Sequence, residues 1–216
     1  MSTEQELREE ICEIGQKVWQ RGYVAANDGN ISARMEDGNI LCTPTGISKG
    51  SLTPDMICKL ALDGTILSEN PPYKTSSEVK VHLHLYRAEP KVMAVVHAHP
   101  IYGTAYAIGG VELVNKRMPE NVLAMPVIPV APYATPSSEE LAENIEPYVH
   151  DYSVCLMEMH GALSWGPSLL AAYQGMERLE YTAKLTYLCD QMGFKDRELD
   201  DAEVKKLIGM RPQYGL

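Results

Sequence analysis

Only six of the 216 residues are histidine, so their placement narrows what the chain can do. His97 and His99 stand two apart in Val92–His99, an apolar, β-branched run that predicts a strand, and Pro100 ends it. Period-two geometry puts both imidazoles on one face with Cα atoms roughly 6.6 Å apart, near enough to converge on one metal ion. His160 follows a second predicted strand, Cys155–Met159, and Gly161 behind it permits a close backbone approach. Three neutral imidazoles with an open fourth position are the donor set of catalytic zinc. Taken alone the pattern is weak. Strand histidines are also satisfied by hydrogen bonds, and His82 and His84 repeat the same spacing. Glu78, after Ser76-Ser77, reads equally as a ligand, a base or a carboxylate at a helix N-terminus.

A second group of residues suits an anion. Gly29-Asn30, Thr43 to Gly46 and Ser76-Ser77 offer backbone N–H and hydroxyl donors without bulk, which fits a phosphate dianion beside a helix N-terminus. The same residues also make ordinary turns and caps. Lys49 would add charge to such a site, but a lysine in this Gly- and Ser-rich loop is expected to be solvated.

The elements that must position these groups are read from periodicity. Leu7, Ile11, Ile14 and Val18 predict an amphipathic helix from Glu4 to about Arg21. Ile31–Met35 and Asn39–Thr43 predict a hairpin around Asp37-Gly38, and Ile57–Leu62 a further strand. Ser76–Arg87 is ambiguous, because VKVHLHL alternates like a strand while Val79, Leu83 and Tyr86 share a helix face. Pro119–Pro136 reads as short strands and turns. Ser137-Ser138 before Glu139-Glu140 predicts a capped helix running toward Tyr148, and Ser168–Met192 a long one. No repeat, low-complexity segment or linker appears, so the expectation is one α/β domain over 1–216.

Composition bounds the function. With 45% hydrophobic residues and no Pro/Gly excess, a disordered or collagen-like chain is excluded. A net charge of −10 (19 basic against 29 acidic residues) disfavours a phosphate backbone, so no nucleic-acid partner is expected. No apolar run approaches the ~20 residues of a membrane span, and none is expected to meet a membrane. The acidic N-terminus lacks a signal-peptide layout, and five scattered cysteines without a CxxC pair suit a reducing, cytoplasmic setting.

Together GNIS, TPTG, SSE, VVHAHP and MHGAL, in that order and spacing, resemble the class II aldolase/adducin family, and within it the L-fuculose-1-phosphate aldolase type. The resemblance runs from the first helix to Tyr214-Gly215-Leu216. It implies a three-layer α/β/α fold with a mostly antiparallel sheet, and it turns SSEVKVHLHLYR into a helix with Ser76, Ser77 and Glu78 at its N-terminus. It further implies Zn2+ on His97, His99 and His160. Glu78 would be a resting-state ligand that becomes the general base, and Gly29, Asn30, Thr45, Gly46, Ser76 and Ser77 would hold the substrate phosphate. Tyr214 falls on a C-terminal active-site tyrosine. A homotetramer with sites between subunits follows by the same likeness.

The implied reaction is reversible cleavage of a ketose 1-phosphate, of fuculose, ribulose or deoxy/methylthio-ribulose type, to dihydroxyacetone phosphate and an aldehyde. Two features depart from the fuculose type. Its proton-donating tyrosine falls at Met118 or a close neighbour, with no tyrosine between Tyr106 and Tyr133, and Pro136 replaces an expected aromatic residue. A same-family epimerase, dehydratase or sugar-acid phosphate decarboxylase is the alternative. A non-catalytic, adducin-like interaction module is the alternative of another class, and the retained histidines and Glu78 argue against it.

Overall fold

The computed structural model describes residues 3–215. Helix α1 (Glu4–Gln20) begins where a capping box dictates: the Glu6 N–H donates to the Thr3 hydroxyl, and the Thr3 N–H donates to the Glu6 carboxylate. Ile11, Ile14 and Val18 form its buried stripe. Each such side chain contributes ~1.5–3 kcal/mol by leaving water.

β1 (Asn30–Arg34) and β2 (Ile40–Cys42) form the expected hairpin, and β3 (Cys58–Leu60) and β4 (Ile66–Ser68) extend it outward. The ambiguous segment is helical, as α2 (Val79–Ala88), and β5 (Ala94–Ala98) follows it. Next come α3 (Ile101–Ile108), β6 (Leu113–Val114), α4 (Pro119–Ala124), β7 (Val127–Ile128) and β8 (Val130–Ala131). The chain closes with α5 (Glu139–Ile145), β9 (Val154–Met157), β10 (Gly161–Gly166), α6 (Leu169–Gln191) and α7 (Asp201–Met210). The Ser138 hydroxyl caps α5, as the sequence predicts, and the Ser168 hydroxyl caps α6.

Eight strands make one sheet in the order β4-β3-β2-β1-β5-β10-β9-β8, every neighbouring pair antiparallel except β8 with β9. Alternation along β5 divides the layers. Ala94, Val96 and Ala98 face the core shared with α1, α3 and α6, while Val95 faces the core shared with α2 and α5. The architecture is therefore three-layer α/β/α with a mostly antiparallel sheet, and His97 falls on the α2 side. Among the described residues no helix is long and apolar enough to cross a membrane.

Three differences from the sequence reading matter. The proline-rich middle holds a short helix, α4, because Pro119 occupies its first turn, where proline costs no hydrogen bond. The second histidine-bearing strand stops at Met157 rather than Met159, since Met159 adopts φ +58° and turns the chain toward β10. Elements α3, β10 and α7 carry too little periodic signal to be foreseen; α7 has no buried residue at all.

Candidate active site

Three histidines converge. His97 lies within β5, His99 one residue past its end, and His160 in the turn between β9 and β10. Their ring centroids are 4.8–5.3 Å apart, and one nitrogen from each falls within 4.8 Å of the others. His97 Nδ1 lies 3.0 Å from the Ala162 carbonyl, which can only accept, so Nδ1 carries the proton. His99 Nδ1 is held the same way by the Asp28 carboxylate at 3.2 Å. The two Nε2 lone pairs then face each other across 3.2 Å. Both lone pairs turn toward one point, and this donor set fits a divalent metal ion. Gly161 permits the approach: a Cβ there would stand 2.5 Å from His99 Cδ2 and 2.9 Å from the Ala98 carbonyl.

Glu78 precedes α2 and projects into this cluster, Oε1 3.4 Å from His160 Nε2 and Oε2 3.5 Å from His97 Nε2. Burial raises its pKa above the usual carboxylate value, against the pull of the Asn30 amide, which donates to Oε2 at 2.8 Å. Burial, with the neighbouring imidazoles, pushes His97 well below its ordinary range and His160 down to about 4. Both rings are neutral at pH 7, the state a metal requires.

Backbone pairing draws the small-residue loops together beside the α2 N-terminus. Thr43 exchanges bonds with Ile31, its N–H donating to the Ile31 carbonyl and its hydroxyl accepting from the Ile31 N–H. Pro44 bridges Thr75, the Thr45 N–H donates to the Lys74 carbonyl at 2.8 Å, and the Ser76 N–H donates to the Thr43 carbonyl at 3.3 Å. Gly29 (φ +75°) is forced, since a Cβ would meet the His97 carbonyl at 2.6 Å. Thr45, Gly46 and Ser77 are exposed, whereas Ser76 and Asn30 are buried. A further loop joins them through Ser137 Oγ, 3.2 Å from Ser77 Oγ.

Other expectations fall elsewhere. His82 and His84 sit two apart on a helix, not a strand, so they diverge: His82 bonds Ser32 Oγ at 2.7 Å, and His84 bonds Glu146 at 2.7 Å. Tyr214 lies in a turn after α7, 60% exposed, and is not among the residues one chain brings to the histidines. Met118 precedes α4 and lines a separate cavity with Asn115, Arg117 and Glu198. Lys49 is a correction: rather than solvated it is 1% exposed, its Nζ donating to the carbonyls of Asn27 at 2.9 Å and Ile47 at 2.7 Å. Asp28 was not foreseen either, because nothing in NDGNIS shows that His99, 71 residues on, will need an acceptor.

The chain is similar to known proteins over most of its length. Residues 9–187 match the family model described as Class II Aldolase and Adducin N-terminal domain. The chain is 38% identical to the 3-oxo-tetronate 4-phosphate decarboxylase of Escherichia coli (strain K12), covering 86% of this chain and 88% of that protein. It is 33% identical to the L-fuculose phosphate aldolase of Methanococcus maripaludis, covering 85% and 97%. The crystal structure of YgbL from Escherichia coli superposes with a TM-score of 0.85 at 36% identity, covering 96% of this chain and all of that one. With most of its length matched and its fold shared, the chain belongs to the class II aldolase and adducin N-terminal domain family.

Proposed function

We propose that the chain is a Zn2+-dependent lyase that removes carbon dioxide from a 3-oxo sugar-acid 4-phosphate, releasing dihydroxyacetone phosphate. The observation that carries this over the aldol reading is the absence of any tyrosine between Tyr106 and Tyr133. Aldol cleavage and its reversal need a proton donor at the aldehyde oxygen. Carbon dioxide leaves without one. The 38% identity to a 3-oxo-tetronate 4-phosphate decarboxylase supports the same choice.

The ion would sit on His97, His99 and His160, and when bound it would supply Lewis-acid stabilisation of the negative charge that develops on the substrate. The chain's own groups do the rest. The loops bearing Gly29, Asn30, Thr45, Gly46, Ser76 and Ser77 hold the phosphate and fix the reacting carbon remotely. As the C1–C2 bond breaks, its electron pair moves between C2 and C3, and the C3 oxygen takes the charge. The Glu78 carboxyl, its pKa raised by burial, then delivers a proton to C2. Asp28 keeps His99 in the tautomer the site requires.

The test is to supply zinc-loaded protein with 3-oxo-tetronate 4-phosphate in deuterated water. Carbon dioxide release with one deuterium in the dihydroxyacetone phosphate supports the reading. No carbon dioxide, together with cleavage of a ketose 1-phosphate, would return the chain to the aldol branch, which the 33% identical fuculose phosphate aldolase relative favours. The family likeness also argues for a homotetramer in the cytoplasm with Tyr214 serving the site at a subunit boundary; sedimentation at about four times the 24.0 kDa chain mass would fit.

A further inference from the structure

We propose that Lys49 supplies the fixed positive charge of the phosphate site and braces two of the loops that form it. This rests on the reading of those loops as the place where the substrate phosphate binds. Lysine is almost never fully buried unless paired with an acid. Here the side chain is 1% exposed, and the hydrogen-bond partners of Nζ are two neutral main-chain carbonyls. Asn27 belongs to the loop leading into Gly29-Asn30, and Ile47 to the loop carrying Thr45-Gly46. One ammonium therefore ties both loops together, and two of its three protons do so.

The backbone from which Lys49 reaches is itself pinned. Residues Lys49–Ser51 form a tight turn against α1, where a Cβ on Gly15 would meet the Lys49 carbonyl at 2.7 Å. Trp19 lies so close to Gly50 that a Cβ there would meet its ring at 2.5 Å. The backbone that carries the charge is thus set by the helix, and the stem that reaches to the loops is buried. A buried cation with only neutral acceptors is expensive, and an anion arriving at the loops offsets that cost. Burial, against the upward pull of Cys42, Asp28 and Glu78, brings the amine down to about 8. At pH 7 it is still charged.

Sulfate is the probe that tests this, because its own charge is constant from pH 7 to 9. Its affinity for zinc-loaded protein is expected to fall about tenfold across that window in the wild type. Lys49→Met should bind sulfate at least tenfold more weakly at pH 7, the weight of one charge-assisted hydrogen bond, with no further loss at pH 9 and unchanged zinc content. Lys49→Arg, charged throughout, should keep its pH 7 affinity at pH 9, and it decides the matter if the methionine variant does not fold. Sulfate binding that is indifferent to Lys49→Met, or flat with pH in the wild type, overturns the role of Lys49 alone. A folded, zinc-loaded wild type that binds neither sulfate nor inorganic phosphate overturns the loop reading and Lys49 with it.

Discussion

At the scale of single residues, the proposed reaction separates holding a metal from moving a proton. His97, His99 and His160 provide the nitrogens; Glu78 alone combines reach into the cluster with a raised pKa. Glu78→Gln keeps the shape and the Asn30 contact but cannot exchange a proton. Its kcat should fall ~10²–10⁴-fold while zinc content stays near wild type. An unchanged rate would remove Glu78 from the proton-transfer role. Asp28 acts at one remove, through His99. Asp28→Asn takes away the charge that makes the imidazole a better donor, so zinc affinity, read by competition with a chelator, should weaken ~10–100-fold. Equal affinity would reduce Asp28 to a turn residue.

At the scale of elements, the strand ends were legible and the contacts between distant segments were not. The histidines could be found because two-residue spacing on a strand has one geometric meaning, and Pro100 marks where the strand stops. α2 resisted reading because Val79, Val81, Leu83 and Leu85 are apolar at every second position and buried, as in a strand, while its polar face is only the narrow line of Lys80, His84 and Arg87. The resemblance of SSE settled it where periodicity could not. β10 escaped notice because GALSWG is bracketed by glycines, yet it holds His97 through the Ala162 carbonyl. Gly161 is therefore the sensitive point of the sheet. Gly161→Ala forces β10 away from His99, with an expected loss of ~1–3 kcal/mol in stability and a matching loss of zinc binding. Gly209→Ala is the contrast: it lies in α7 with open space around it, so the same change should stabilise by ~0.5–1 kcal/mol. If both variants behave alike in thermal melts, the close packing at Gly161 is not what positions the site.

At the scale of the whole molecule, the buried imidazoles make stability depend on pH in one direction. Burial holds His82 down to about 3, and burial with neighbouring imidazoles holds His160 down to about 4 and His97 well below its ordinary value, so the folded chain keeps all three neutral. The unfolded chain protonates them near pH 6.5. Between pH 6.5 and about 4 the unfolded state thus binds more protons, and stability is lost as pH falls, by ~1.4 kcal/mol per pH unit for each such group. Glu78 and Glu180, whose pKa values burial raises, oppose this only just above the ordinary carboxylate range. Metal binding complicates His97 and His160 but not His82, whose Nδ1 bonds Ser32 Oγ, itself 2.7 Å from the Tyr86 hydroxyl. His82→Gln isolates that contribution. The variant is less stable at pH 7 through its broken network, but its urea-midpoint stability should decline with acid by one proton less than wild type. The comparison is made at fixed protein concentration, so that any assembly contributes equally. Slope, not offset, is the readout. Parallel acid limbs would mean that His82 takes its proton inside the folded protein, and that the chain from Tyr86 through Ser32 opens before the fold does.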